Sequence, residues 1–178
     1  MRRLFYAVVA LQMLFLLGEA GRAHLILVRS PLVTLKVVPV DPRSLFMGNY
    51  IDLSYDISTI DLTKVRHYGP ELNFHSGNPI YVGLIPGKPW ASISIVRVAE
   101  PEPGDKTLYL RGEIGWTSGH RINVEYGLER YYIPETKQEA VNRMSWRPNT
   151  RMTVEVAVPE SRRGIIRRVL VNGRPLGF

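Results

Sequence analysis

The chain is 178 residues long, 45% hydrophobic and 22% charged, which supplies one ordinary domain with its own core and excludes a disordered chain. It has no cysteine, so disulfides, thiolate metal sites and a cysteine nucleophile are excluded together. The 23 Lys and Arg against 16 Asp and Glu leave a net charge of +7, which suits nucleic acid, anionic headgroups or acidic partners without choosing among them.

The first element follows Arg2 and Arg3. LFYAVVALQMLFLL is apolar apart from Gln12, and GEAGRAH after it turns polar and small, the layout of an export signal. As a helix the apolar run is roughly 21 Å long and falls short of the roughly 30 Å hydrocarbon layer, so it spans only with help from its flanks. Two readings follow: residues 1–20 are a signal peptide cut near Ala20, or an uncleaved anchor, extending to about residue 28, whose arginines stay cytoplasmic. Both send residues 30–178 across the membrane as one domain. The segment AHLILV either continues an anchor helix or leads into the first strand.

From Val33 onward apolar residues alternate with period two between Pro, Gly, Asn and Asp, the signature of strands. Val33, Leu35 and Val37 share one face, as do Ile80, Val82 and Leu84. In TLYLRGEIGW the shared face carries Leu108, Leu110, Ile114 and Trp116. Ile122, Val124 and Tyr126 form another such row, and Met152, Val154, Val156 and Val158 the last. SISIVRV breaks the alternation, because Ile93 and Ile95 fall opposite Val96 and Val98, and a β-bulge is expected there. Residues 59–78 read as a long loop, and PETKQEAVNRM, Pro134 to Met144, as a short helix. The predicted fold is mainly β: a single antiparallel sandwich or partly open barrel with one short helix, preceded by the apolar helix.

The chemistry-bearing residues form no familiar constellation. His24, His67, His75 and His120 lack ligand spacing, so no metal and no cofactor is expected, and no nucleophile elbow or phosphate-cradling loop is present. Asp52 and Glu129 lie close to aromatic-rich segments and form a candidate acid and base pair. Solvation of Asp52 and an arginine partner for Glu129 are the plainer explanation. Arg162, Arg163, Arg167 and Arg168 either protect an edge strand or meet anionic lipid. Nucleic acid is not expected as a partner, because no recognition helix or aromatic RNA-binding pattern accompanies the charge.

GNYIDLSY resembles the signature of the GDYXXLXY family, with Gly48, Tyr50, Leu53 and Tyr55 matching and Asn49 standing where the family has aspartate. The resemblance extends upstream to the Val-Asp-Pro-Arg run containing Asp41 and Pro42. Downstream it covers YGLERYYIPE, Tyr126 to Glu135, and the closing VEVAVPESRRGIIRRVLVNGRPL. It implies a membrane-anchored or exported bacterial envelope protein of uncharacterised function, with a multi-pass membrane protein as partner. Because asparagine cannot carry the proton transfer or charge of an aspartate, Gly48 and Asn49 read as the turn that launches a strand. Asp41, Pro42, Gly48, Asn49, Leu53, Tyr55, Tyr126, Gly127 and Pro134 are assigned structural roles. Tyr50, Asp52, Glu129, Arg130 and Tyr132 are the candidate contact residues of a groove between the two blocks. The functional expectation is a non-enzymatic binding or scaffolding module for a membrane partner, on the periplasmic side of the inner membrane or released there by cleavage. The alternative is an envelope hydrolase using Asp52 and Glu129.

Overall fold

The computed structural model describes residues 2–38, 50–68, 74–134 and 150–176. The first element is α1, Arg2–Arg29, the one helix among them. At about 1.5 Å per residue it is roughly 40 Å long, because Leu25 to Val28 continue it rather than leading into a strand. Leu4, Leu11, Leu14 and Leu17 are all largely exposed, so the described residues leave this apolar stretch of the helix uncovered. It is long and apolar enough to cross a membrane. Ser30 ends it by donating both its N–H and its hydroxyl to the Ile26 carbonyl.

The remainder is β-structure, as the alternation requires. One sheet joins β1 (Leu32–Val38), β3 (Ser54–Tyr55), β11 (Met152–Ala157), β12 (Ile165–Val171) and β13 (Arg174–Pro175) in the order β13-β12-β11-β1-β3. The other joins β4 (Thr59–Asp61), β5 (Arg66–Tyr68), β6 (Pro79–Ile85), β7 (Ser92–Arg97), β8 (Leu108–Ser118) and β9 (Arg121–Glu125) as β4-β9-β8-β6-β7-β5. A ribbon of β2 (Tyr50–Asp52) and β10 (Arg130–Tyr132) lies beside them. The assembly curls into a half-barrel, antiparallel except where β5 runs parallel to β7. Leu35, Ile51, Ile80, Val82, Leu110, Val154 and Val156 meet in one core.

Bulges decide where the alternation fails. Gly83 pairs with Ile95 and Leu84 with Ile93, so Ser94 is the extra residue and its hydroxyl donates to the Gly83 carbonyl. The bulge puts Ile93 and Val96 against the same core. A second shift in β8, between Ile114 and Thr117, turns Trp116 out of the row predicted for it and leaves it 48% exposed. The expected long loop over residues 59–78 contains β4 and β5, strands of three residues that carry too little alternation to stand out in sequence. The predicted helix from Pro134 lies, after Pro134 itself, outside the described residues, as do Asp41, Pro42, Gly48 and Asn49.

Candidate functional site

Residues 50–61 form the seam between the sheets. β2 pairs with β10, β3 pairs with β1, and β4 pairs with β9, so one short segment changes neighbours twice. Leu53 stands at the first change: buried itself, it gives its N–H to the Glu129 carbonyl at 2.6 Å. Further along, Asp56 N–H donates to the Lys36 carbonyl and Val124 N–H to the Ser58 carbonyl.

The two aromatic blocks are therefore direct neighbours. Across the ribbon Arg130 faces Asp52, Tyr131 faces Ile51, and Tyr132 faces Tyr50. Two buried tyrosines lock the same blocks from inside. Tyr55 Oη donates to the Leu128 carbonyl at 2.7 Å, and Tyr126 Oη donates to the Ile57 carbonyl at 2.7 Å, so each tyrosine satisfies a carbonyl within or just beyond the other block. Burial pushes both phenols well above the ordinary tyrosine range, and the Glu129 charge adds to this, with Asp56 contributing at Tyr126. Both remain protonated donors at any physiological pH.

Between Tyr126 and Glu129 the chain turns through Gly127, whose φ of 72° lies in the left-handed region. The turn folds the Glu129 carboxylate back to accept the Tyr126 N–H at 2.6 Å. Among the described residues that contact, and no arginine, is what the Glu129 carboxylate engages, while its backbone carbonyl receives Leu53. Asp52 is half-buried and, among the described residues, forms no ion pair. The Arg130 guanidinium lies 5.5 Å from the centre of the Tyr50 ring, within cation–π range.

Strand alternation separates the candidate contact residues from the core. Tyr131 and Ile133 turn inward, whereas Arg130 and Tyr132 turn outward, Tyr132 being 71% exposed. The Tyr50 and Tyr132 ring centres are 6.0 Å apart. Beside this outer face lies an open cleft of about 540 Å³ that Asp52, Glu129 and Arg130 line with Ser54, Ser58 and Asn123. Thus Asp52 and Glu129 share one cleft, and all five candidate contact residues belong to one continuous region.

Sequence reasoning missed Asn123, Ser54 and Ser58 as cleft residues. Asn123 alternates with buried Ile122 and Val124, which is the signal that would have found it. It also missed Asp56, whose Oδ1 is buried without a hydrogen-bond partner. Desolvation raises the Asp56 pKa, against the opposing influence of Lys36 and of backbone donors. Nothing in the order of residues around the half-buried Asp56 marks its Oδ1 as covered.

A family profile described as GDYXXLXY protein matches residues 12–169, from within α1 to the middle of β12. The chain belongs to the GDYXXLXY family. No curated protein and no solved structure matches it. Within the described part of the family signature, Leu53 and Tyr55 build the seam, and Tyr50 alone faces outward.

Proposed function

We propose that this GDYXXLXY chain is a membrane-anchored module on the extracytoplasmic side of a bacterial inner membrane, presenting its β-ribbon to a membrane-protein partner. The observation that carries the reading is the juxtaposition of Tyr50 and Tyr132 on the outer face of the ribbon. Two adjacent tyrosines with an arginine against one ring are the residue types that dominate the energetics of protein interfaces. Asp52, with no ion pair among the described residues, and Arg130 supply opposite charges at the rim. The anchoring half of the reading is supported by α1, whose apolar surface is left largely exposed by the described residues and whose flanking Arg2 and Arg3 favour a cytoplasmic start.

A photo-reactive amino acid at position 132 in the full chain, at native expression, tests the partner. The expected outcome is an adduct with one membrane protein, retained after solubilisation and absent when the probe is moved to Arg174. Equal labelling from both positions overturns the reading. A second reading, hydrolysis by a carboxylate pair, has the shared cleft of Asp52 and Glu129 in its favour. It requires hydrolysis of an envelope glycan or peptide by the purified chain that Asp52→Asn abolishes. Activity that survives this change excludes it.

A further inference from the structure

A second cleft, of about 750 Å³, is lined by residues of β5, β6, β7 and β8 of the six-stranded sheet and shares no lining residue with the cleft beside the ribbon. Arg66 and Tyr68 of β5, Lys106 in the loop before β8, Pro31 and Ile85 are among the residues that line it. Arg66 and Lys106 are exposed and, among the described residues, have no ion-pair partner. The acid in this cleft is already engaged: Asp105 accepts from Thr107 N–H and from Tyr109 Oη, both at 2.9 Å, and lies 3.7 Å from the Arg97 guanidinium. Among the described residues, two cations are therefore left without a counter-ion. Tyr68 is 63% and Ile85 56% exposed, an aromatic and an aliphatic residue beside the free charges. Such a mixture is suited to the polar layer of a bilayer, where apolar bodies and charged tips are both accommodated.

Chain connectivity fixes where this cleft sits. Pro31 follows Arg29, the last residue of α1, by two residues, so no more than about 7 Å of chain separates them whatever the tilt of the helix. The polar layer of each leaflet is roughly 5–8 Å thick. We propose that this cleft takes the phosphate headgroup of anionic phospholipid from the leaflet through which α1 emerges, with Arg66 and Lys106 holding the phosphate and Tyr68 and Ile85 entering the headgroup boundary. The proposal rests on the anchored reading above. It differs from lipid contact through the arginine-rich strand, where Arg162 is engaged by Glu100 and Arg168 by Glu155.

Hydrogen exchange of the full chain in nanodiscs tests it, with pure phosphatidylcholine compared against a mixture containing phosphatidylglycerol. Exchange across residues 65–68 and 105–108 is expected to slow by about fivefold in the anionic discs. The doubly reversed Arg66→Glu, Lys106→Glu chain is expected to lose that protection, and Arg174→Glu, on the far edge of the other sheet, to keep it. Lys106→Gln alone, in an exposed loop, serves if the double variant does not fold, and is expected to lose part of the protection. Equal exchange in both discs overturns the lipid site and leaves the anchor standing. Protection produced in phosphatidylcholine discs by inorganic phosphate alone overturns it in favour of a soluble anion. Mature protein whose N-terminus begins near Ala20 overturns the anchor, and the lipid site with it.

Discussion

Each of the two family blocks carries a tyrosine that faces the core and one that faces out. Tyr55 and Tyr126 are nearly inaccessible and donate to carbonyls about seventy residues away, whereas Tyr50 and Tyr132 meet as a tilted ring pair on the outer face of the ribbon. The tyrosines of the two blocks thus divide by depth, one pair holding the seam and the other left at the outer face. Substitution on the two sides should therefore separate stability from binding.

The largest effect is expected from Tyr126→Ala, which empties a buried ring site and leaves the Ile57 carbonyl without its donor. A loss of about 3–5 kcal/mol in urea unfolding follows from large-to-small core substitution. Retained stability would mean that the seam closes without this ring. Tyr55→Phe and Tyr126→Phe are the finer instruments, because each keeps the ring and removes only the hydroxyl. Each should cost about 1–3 kcal/mol, the penalty of an unsatisfied buried acceptor. If the two bonds hold one seam, the double variant departs from the sum of the singles, and a thermodynamic cycle reads the coupling directly.

Asp56 lies on the same seam and acts against it. Its folded-state pKa is raised above the ordinary 3.8 by desolvation, so protonation favours the native chain. The contribution is fully present below the unfolded value and is lost as pH rises through the raised folded one. Above that window the native chain carries an unfavourable carboxylate, and Asp56→Asn should stabilise it. Because Asp56 is only half-buried, the gain is small at neutral pH, and it should shrink as pH falls toward the unfolded value. Urea midpoints across an acid series check the slope. A gain that does not change with pH would assign the effect to hydrogen bonding rather than charge.

The core was legible in sequence because strand alternation is local: Leu35, Val82 and Val154 announce their burial through their own neighbours. Trp116 was misplaced because a bulge resets the period by a residue, and β4 and β5 escaped because three residues do not establish one. At the candidate site, alternation in RYYIPE separates Tyr132 from Tyr131 without any structure. The reciprocal hydroxyl bonds are another matter. No local pattern encodes a partner seventy residues away, and the register that sets Tyr132 opposite Tyr50 exists only once both strands are paired.

The smallest expected change in stability is the one that bears most on function. Tyr132→Ala removes a largely exposed ring whose described contact is one cross-strand neighbour, so its cost should be no more than about 0.5 kcal/mol. If Tyr132 anchors a partner, the same substitution should weaken capture by at least about tenfold, the scale of an interface aromatic. Comparing the melting midpoint with partner recovery for this variant and for Tyr126→Phe separates the two tyrosine classes. Tyr126→Phe should lower the midpoint and, where the chain remains folded, leave recovery intact. Tyr132→Ala should do the reverse. A chain in which both substitutions lower both readouts together would make the outer pair part of the seam and remove the ribbon face as a binding surface.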